Sequence, residues 1–285
     1  MKSYAYLLTT LCCIALFSCK EQSKTEANAK EEPMTEATTP MSFAEQLDAS
    51  PRHHEWVTLE VGDKELYTFV VYPEKSEQVK TVMVIHENRG LNDWARYFAD
   101  QLAAKGYIVL APDLLSNAQP GIEKTTDFED SDAAREAIYA LSPEGVTKDL
   151  DAVFAFAKAM DAGNGAVAVA GFCWGGSQTF RYATNNPDLT SAHVFYGTGP
   201  KGAEAYTKIK SPVYGYYGGN DNRVNSTIDS SKIYMQEAKA IYEPVIYEGA
   251  GHAFMRRGAE ADSDAANKAA HDRAWDRLLD LLEND

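Results

Sequence analysis

Cysteine is nearly absent from this 285-residue chain: of four, Cys12, Cys13 and Cys19 lie near the N-terminus and Cys173 stands alone after them. A disulfide-stapled scaffold is thereby excluded for everything beyond residue 19. Positive charge is also short, with 27 Lys and Arg against 42 Asp and Glu and a formal net charge of −15. Such a field disfavours nucleic acid or an anionic membrane surface as a partner. Among the histidines, His53, His54, His86, His193 and His271 show no metal-ligand spacing. They read as solvent-facing or packed polar groups. No internal repeat occurs, and no apolar run is long enough to span a bilayer.

One short apolar run stands at the N-terminus. Lys2 precedes Tyr6-Leu7-Leu8-Thr9-Thr10-Leu11-Cys12-Cys13-Ile14-Ala15-Leu16-Phe17, which has the length and basic flank of a signal peptide. Leu16-Phe17-Ser18-Cys19 resembles a bacterial lipobox, in which Cys19 is lipidated and becomes the mature N-terminus; Phe17 is an unusual residue at its position. Residues 1–19 are therefore expected to be a lipoprotein signal peptide. Residues 20–50, rich in Glu, Thr, Ala, Lys and Ser, are expected to be a flexible tether, because so few large apolar side chains cannot offset ordering entropy. The expected location is the cell envelope, lipid-anchored and facing the periplasm or on the outer-membrane surface, or secreted if Cys19 is not lipidated. The only membrane contact expected is that anchor.

Residues 51–285 have the length of one large domain with an ample core. Apolar, β-branched-rich runs predict strands near 56–61, 65–72, 81–86, 107–112, 166–171, 191–196, 213–217 and 244–248. Helical patterns fall near 93–105, 145–160, 175–186, 230–241 and 263–282. That alternation predicts an α/β fold: a mostly parallel central sheet with helices on both faces and the first two strands as an antiparallel edge. The acidic segment 116–132 has little regular pattern and reads either as a cover for a site or as a surface loop.

The most specific stretch is Val167-Ala168-Val169-Ala170-Gly171-Phe172-Cys173-Trp174-Gly175-Gly176. A buried strand turns through Gly171, presents one thiol and enters a helix past two further glycines. This is the pattern of the nucleophile elbow of an α/β-hydrolase, with cysteine in place of serine. The turn needs small neighbours because strand and helix approach closely around a strained nucleophile. A helix N-terminus also favours the thiolate. The plainer alternative is a buried core cysteine. Two later loops supply its context. The strand Pro212–Tyr217 opens into Gly218-Gly219-Asn220-Asp221, and Val245–Glu248 opens into Gly249-Ala250-Gly251-His252. Nucleophile, acid and histidine thus follow in the order this fold uses, each just past a strand. Cys173 would attack a carbonyl, His252 move the proton and Asp221 orient the imidazole. Oxyanion donors would be the backbone N–H groups of Trp174 and Asn88.

From about Val57 onward the chain resembles the dienelactone hydrolase (carboxymethylenebutenolidase) family. Four signatures carry the likeness: Ile85-His86-Glu87-Asn88-Arg89-Gly90-Leu91, Ala111-Pro112-Asp113-Leu114-Leu115, Gly171-Phe172-Cys173-Trp174-Gly175-Gly176, and Tyr247-Glu248-Gly249-Ala250-Gly251-His252-Ala253-Phe254. The resemblance implies a Cys-His-Asp triad, hydrolysis of a small lactone or ester through a thioester, and no cofactor. It also implies that Glu87 contacts the resting thiol and helps generate the thiolate; the alternative for Glu87 is an ion pair with Arg89. Arg256, four residues after the histidine, matches a family arginine that grips a substrate carboxylate, a task suited to a planar guanidinium. Arg135 is the candidate for a second such arginine, although spacing does not fix it. The neighbouring Arg257 reads equally well as a solvated surface charge.

Two departures weaken the transfer of substrate more than of chemistry. Asn88 and Arg89 stand where the well-known family type has apolar residues, and Trp174 replaces a smaller apolar residue. The net charge of −15 opposes an anionic substrate at long range, which keeps uncharged esters in play. The expectation is a hydrolase acting as a monomer on a small-molecule ester or lactone. A general carboxylesterase or thioesterase of the same fold is the alternative within enzymes, and a non-catalytic surface binding lipoprotein the alternative outside them.

Overall fold

A computed structural model describes residues 40–285. The expected signal peptide, Cys19 and most of the expected tether lie outside the described residues.

Runs such as Val82-Met83-Val84-Ile85, buried throughout, form strands that are covered on both faces. Eight strands make one sheet: β1 (His54–Val61), β2 (Lys64–Val71), β3 (Val79–Ile85), β4 (Ile108–Pro112), β5 (Gly163–Phe172), β6 (Ala192–Phe195), β7 (Val213–Gly218) and β8 (Tyr242–Tyr247). Their spatial order is β1-β2-β4-β3-β5-β6-β7-β8. β1 and β2 pair antiparallel, β2 joins β4 antiparallel, and every other pairing is parallel. All eight expected strands and the antiparallel edge are present. The ten α-helices among the described residues are α1 (Phe43–Asp48), α2 (Asp93–Ala103), α3 (Ser131–Ala140), α4 (Pro143–Ala159), α5 (Trp174–Ala183), α6 (Ala203–Tyr206), α7 (Asn222–Asn225), α8 (Ile228–Glu237), α9 (Phe254–Ala259) and α10 (Ala265–Asn284).

The strand period of two divides the core into two layers. Val82, Val84, Ala168 and Ala170 point toward α2 and α10, where they meet Phe98, Leu102, Ala274 and Leu278. Met83, Ile85, Val167 and Val169 point the other way, onto Leu150 and Val153 of α4 and Phe180 of α5. Side-chain caps set several helix starts. Asn92 accepts from the Ala95 amide, Ser142 from the Gly145 amide with Pro143 following, and Asp264 from the Asn267 amide.

One sequence expectation changes, and one open choice is narrowed. The tether does not extend to residue 50, because α1 forms within it. Ser42 and Glu45 make a reciprocal capping box, Phe43 packs on Tyr97 with ring centroids 4.9 Å apart, and Leu47 is buried. An average composition over 20–50 hid this one turn and a half. The segment 116–132 does not line the active cleft. The carboxylate of Asp113 accepts from the Thr125 amide at 2.6 Å and its hydroxyl at 2.7 Å, which anchors the segment beside β4. The residue that reaches the cleft is Tyr139 of the following α3.

Candidate active site

The parallel strands all deliver their C-terminal ends to one edge of the sheet, and side chains with chemical potential gather there. Glu87 and Asn88 follow the end of β3, Cys173 follows β5, Asp221 lies three residues past β7 and His252 five residues past β8. Together with Tyr139, Trp174, Ser177, Tyr196, Thr198 and several arginines they line a cleft of about 820 Å³.

Cys173 sits at φ 56° and ψ −115°, a conformation that side chains rarely adopt. Strain of this kind costs on the order of 1–3 kcal/mol and persists only where the surroundings over-determine it. Here the Cys173 amide donates to Phe195 at 3.0 Å, and its carbonyl accepts from Ser177 at 3.1 Å. Gly171 and Gly175 let the turn close: a Cβ on Gly171 would lie 2.4 Å from the Gly175 carbonyl oxygen, and one on Gly175 only 2.2 Å from that of His86. The half-buried thiol is thus fixed at the mouth of α5. The Trp174 amide, in the first turn of that helix, and the Asn88 amide make no hydrogen bond to protein among the described residues.

His252 Nδ1 hydrogen-bonds Asp221 Oδ2 at 2.5 Å, and the Cys173 side chain is near enough to the imidazole to help raise its pKa. Burial works against charge on His252, but the Asp221 and Cys173 partners outweigh it and hold the pKa up at about 9. Burial likewise opposes the charge on Asp221, and the hydrogen bond from His252 overcomes it to lower that pKa. The other Asp221 oxygen accepts from the Val224 amide at 3.4 Å, so the carboxylate also caps α7.

Glu87 is buried and faces two donors: Arg256 Nε at 3.2 Å and the Tyr196 hydroxyl at 3.3 Å. Burial still dominates, and the Glu87 pKa is raised despite Arg256. The alternative pairing with Arg89 does not form. Arg89 turns outward to Ser131 and, at 3.0 Å, to Asp132. Arg256 is shared, since its Nη1 also meets Glu260 at 2.7 Å.

Arg135 is not brought into the cleft. It lies exposed on α3 and its guanidinium sits over the Tyr139 ring, 5.8 Å from the centroid. Tyr139 itself accepts from Asn88 Nδ2 at 3.2 Å. Arg89, Arg223, Arg256 and Arg257 do line the cleft. Tyr196 escaped the sequence reading. It stands at φ 40° just past β6, with its ring edge-on to His252 at 5.0 Å. Its place beyond a strand on the same sheet edge was the available signal. His86 is a fully buried packing residue, stacked on Trp174 and bonded through Nδ1 to the Glu87 carbonyl at 2.8 Å. Among the described residues no group of three metal-ligating side chains occurs.

The family model described as the dienelactone hydrolase family matches residues 66–285. A protein of Escherichia coli (strain K12) assigned as a carboxymethylenebutenolidase is 31% identical over 225 residues, covering 74% of this chain and 79% of its own. One from Saccharolobus solfataricus with the same assignment is 31% identical over 244 residues, covering 75% and 92%. A crystal structure from Klebsiella pneumoniae assigned as a dienelactone hydrolase superposes with a TM-score of 0.71 at 23% identity, over 82% of this chain and 99% of that one. A dienelactone hydrolase-like promiscuous phosphotriesterase from metagenomic libraries superposes with a TM-score of 0.69 at 24% identity, over 82% and 98%. These two structures share the α/β-hydrolase fold.

Proposed function

The chain belongs to the dienelactone hydrolase family, and we propose that this ester-bond hydrolase cleaves a small ester or lactone with Cys173, His252 and Asp221 as nucleophile, proton carrier and orienting acid. The observation that carries the reading is the Asp221–His252 hydrogen bond in the same cleft as a thiol held in a strained elbow.

A histidine with a pKa of about 9 is charged at neutral pH, so an imidazolium stands beside the Cys173 sulfur, which attacks as the thiolate. The Cys173 sulfur adds to the substrate carbonyl, and the negative charge passes to the carbonyl oxygen. The amides of Trp174 and Asn88 receive that oxyanion; one such donor is worth about 3 kcal/mol in the transition state. As the tetrahedral intermediate collapses, the C–O bond breaks and the imidazolium gives its proton to the leaving alkoxide. In a lactone the alkoxide stays tethered to the acyl group. The neutral imidazole then takes a proton from water, the hydroxide attacks the thioester, and the thiolate leaves with the carboxylic acid released. Asp221 keeps Nδ1 protonated throughout, so Nε2 is the atom that exchanges protons. Glu87, bonded to Arg256 and Tyr196, would act by contacting the sulfur once Arg256 is disturbed.

Removal of the sulfur tests the reading. Cys173→Ala should abolish hydrolysis of both a dienelactone and a neutral aryl ester while the melting temperature stays near that of the parent. Persistent turnover in that variant would dismiss the thiol mechanism, and inactivity of the parent on every ester and lactone tried would favour a binding role.

For location, the lipobox-like Leu16-Phe17-Ser18-Cys19 supports a domain anchored at the cell envelope. Metabolic labelling with a fatty-acid probe should mark the parent and not Cys19→Ser; equal labelling, or none in either, would count against the anchor.

A further inference from the structure

His86 directly follows β3, is fully buried and does not line the cleft, and no step of the reaction above uses it. Two backbone groups fix its protonation. The Leu114 amide donates to Nε2 at 3.3 Å, and Nδ1 meets the Glu87 carbonyl oxygen at 2.8 Å. An amide N–H can only donate and a carbonyl oxygen can only accept. The ring is therefore neutral, with its proton on Nδ1. Burial acts in the same direction and holds the His86 pKa below its ordinary value.

The Glu87 carbonyl is one end of a peptide unit whose other end is the Asn88 N–H. In a trans peptide these two groups lie in one plane and point opposite ways. A hydrogen bond that fixes the carbonyl thus also fixes the aim of the N–H, and that N–H has no protein acceptor at the edge of the cleft. The same histidine reaches the other oxyanion donor. Its ring stacks on Trp174 with centroids 5.9 Å and planes 13° apart, and a Cβ on Gly175 would stand 2.2 Å from its carbonyl oxygen. Leu114, which holds Nε2, is anchored in turn. Its neighbour Asp113 is buried and accepts from the Leu115 amide at 3.1 Å as well as from Thr125. The segment Ala111-Pro112-Asp113-Leu114-Leu115 thereby bears on the site without lining it.

We propose that His86 is a positioning residue for the oxyanion site: through Nδ1 it sets the plane of the Glu87–Asn88 peptide, and with the face of its ring it seats Trp174. The proposal rests on the cleft being an ester-hydrolysing site in which the Asn88 and Trp174 amides receive the oxyanion.

The test measures kcat and KM for a neutral aryl butyrate in the parent, His86→Phe and His86→Asn, and separately the rate at which iodoacetamide alkylates Cys173, followed at the Cys173 peptide by mass spectrometry. Phenylalanine keeps an aromatic face for Trp174 and removes the donor. Asparagine places its Nδ2 donor where Nδ1 stands. Alkylation joins the sulfur to carbon with loss of iodide and builds no oxyanion, so it reads the thiol alone. In His86→Phe kcat should fall on the order of tenfold or more, while KM and the alkylation rate stay within about threefold, and His86→Asn should recover most of the kcat. Should His86→Phe fail to fold, His86→Leu takes its place, since leucine has the shape of asparagine without the amide. An unchanged kcat, an equal fall in kcat and alkylation, or an asparagine variant as impaired as the one without a donor overturns the proposal and leaves the triad intact. A parent without Cys173-dependent turnover overturns the ester-hydrolysing reading and this proposal with it.

Discussion

Replacing Gly175 by alanine is expected to disable the site without altering any side chain that does chemistry. The added Cβ would fall 2.2 Å from the His86 carbonyl oxygen and 2.4 Å from that of Ile85. Carbon and oxygen settle at about 3.3 Å, so the two segments must part by roughly 1 Å. β3 cannot yield alone, because Ile85 is in register with Gly171 of β5 at the centre of the sheet. The displacement therefore falls on the first turn of α5, which carries Trp174 and its amide away from the Glu87–Asn88 loop. Overpacking of this sort costs about 1–3 kcal/mol, and contact with backbone rather than a flexible side chain places it at the upper end. At roughly 2–4 °C per kcal/mol for a domain of this size, Tm should drop by about 6–12 °C. Misplacing catalytic groups by about 1 Å costs about a hundredfold in rate, so kcat should fall by that order well below the melting transition. Thermal melts by circular dichroism and esterase assays at 20 °C below the variant's Tm measure both. Gly62→Ala is the control: a Cβ there meets nothing within 4 Å, and only its positive φ is penalised. If Gly175→Ala melts and turns over like the parent, close approach of α5 to β3 does not set the site.

Asp221→Asn removes the partner that keeps the His252 pKa up at about 9. The alkaline limb of kcat/KM, near pH 9 in the parent, should move to lower pH, with a loss of roughly a hundredfold or more near neutrality. The same pair stabilises the fold. The raised His252 pKa contributes fully below its ordinary 6.5 and is lost as pH climbs through about 9, while the lowered Asp221 pKa contributes above its ordinary 3.8 and is lost on acidification. The Tm difference between parent and Asp221→Asn should therefore be widest between about pH 4 and pH 6.5; a flat difference across pH would contradict the coupling. Tyr196→Phe deletes the hydroxyl that donates to Glu87 at 3.3 Å. A buried carboxylate that loses a donor should cost about 1.5–3 kcal/mol in urea denaturation, and a value near zero would show that the bond carries no weight.

Legibility followed locality. The eight strands were readable because each is a run of β-branched, aromatic or small apolar residues bounded by turn formers, and Cys173, Asp221 and His252 were readable because each lies within five residues of the end of one of those strands. Short helices were not: α9 is six residues long and contains glycine, and the apolar face of α3 is essentially Ala134 and Ile138. Sequence could name Glu87 as interesting but not its partner, since Arg256 is 169 positions away and the nearer Arg89 was the better local guess. Arg135 failed for the same reason, because how α3 docks decides which of its faces meets the cleft, and that docking depends on distant partners, Leu115 and Phe128 against Ala134 and Ile138 and Arg89 against Ser131 and Asp132.

Tyr196 is the residue on which these separate strands of reasoning meet. Its ring packs edge-on to His252 and its hydroxyl binds Glu87, so it touches both the Asp221–His252–Cys173 series and the Glu260–Arg256–Glu87 series. The first series is built to hold a proton on imidazole at neutral pH. The second keeps a carboxylate buried against its tendency to protonate, one guanidinium being divided between two acids. A change in how tightly Arg256 is held must therefore reach Glu87 before it reaches the thiol, and it does so beside a tyrosine locked at φ 40° with its amide bound to the Tyr216 carbonyl at 2.8 Å. A tyrosine so constrained cannot follow Glu87 if that side chain moves. Release of Arg256 would then leave the Tyr196 hydroxyl as the remaining side-chain donor to that carboxylate among the described residues.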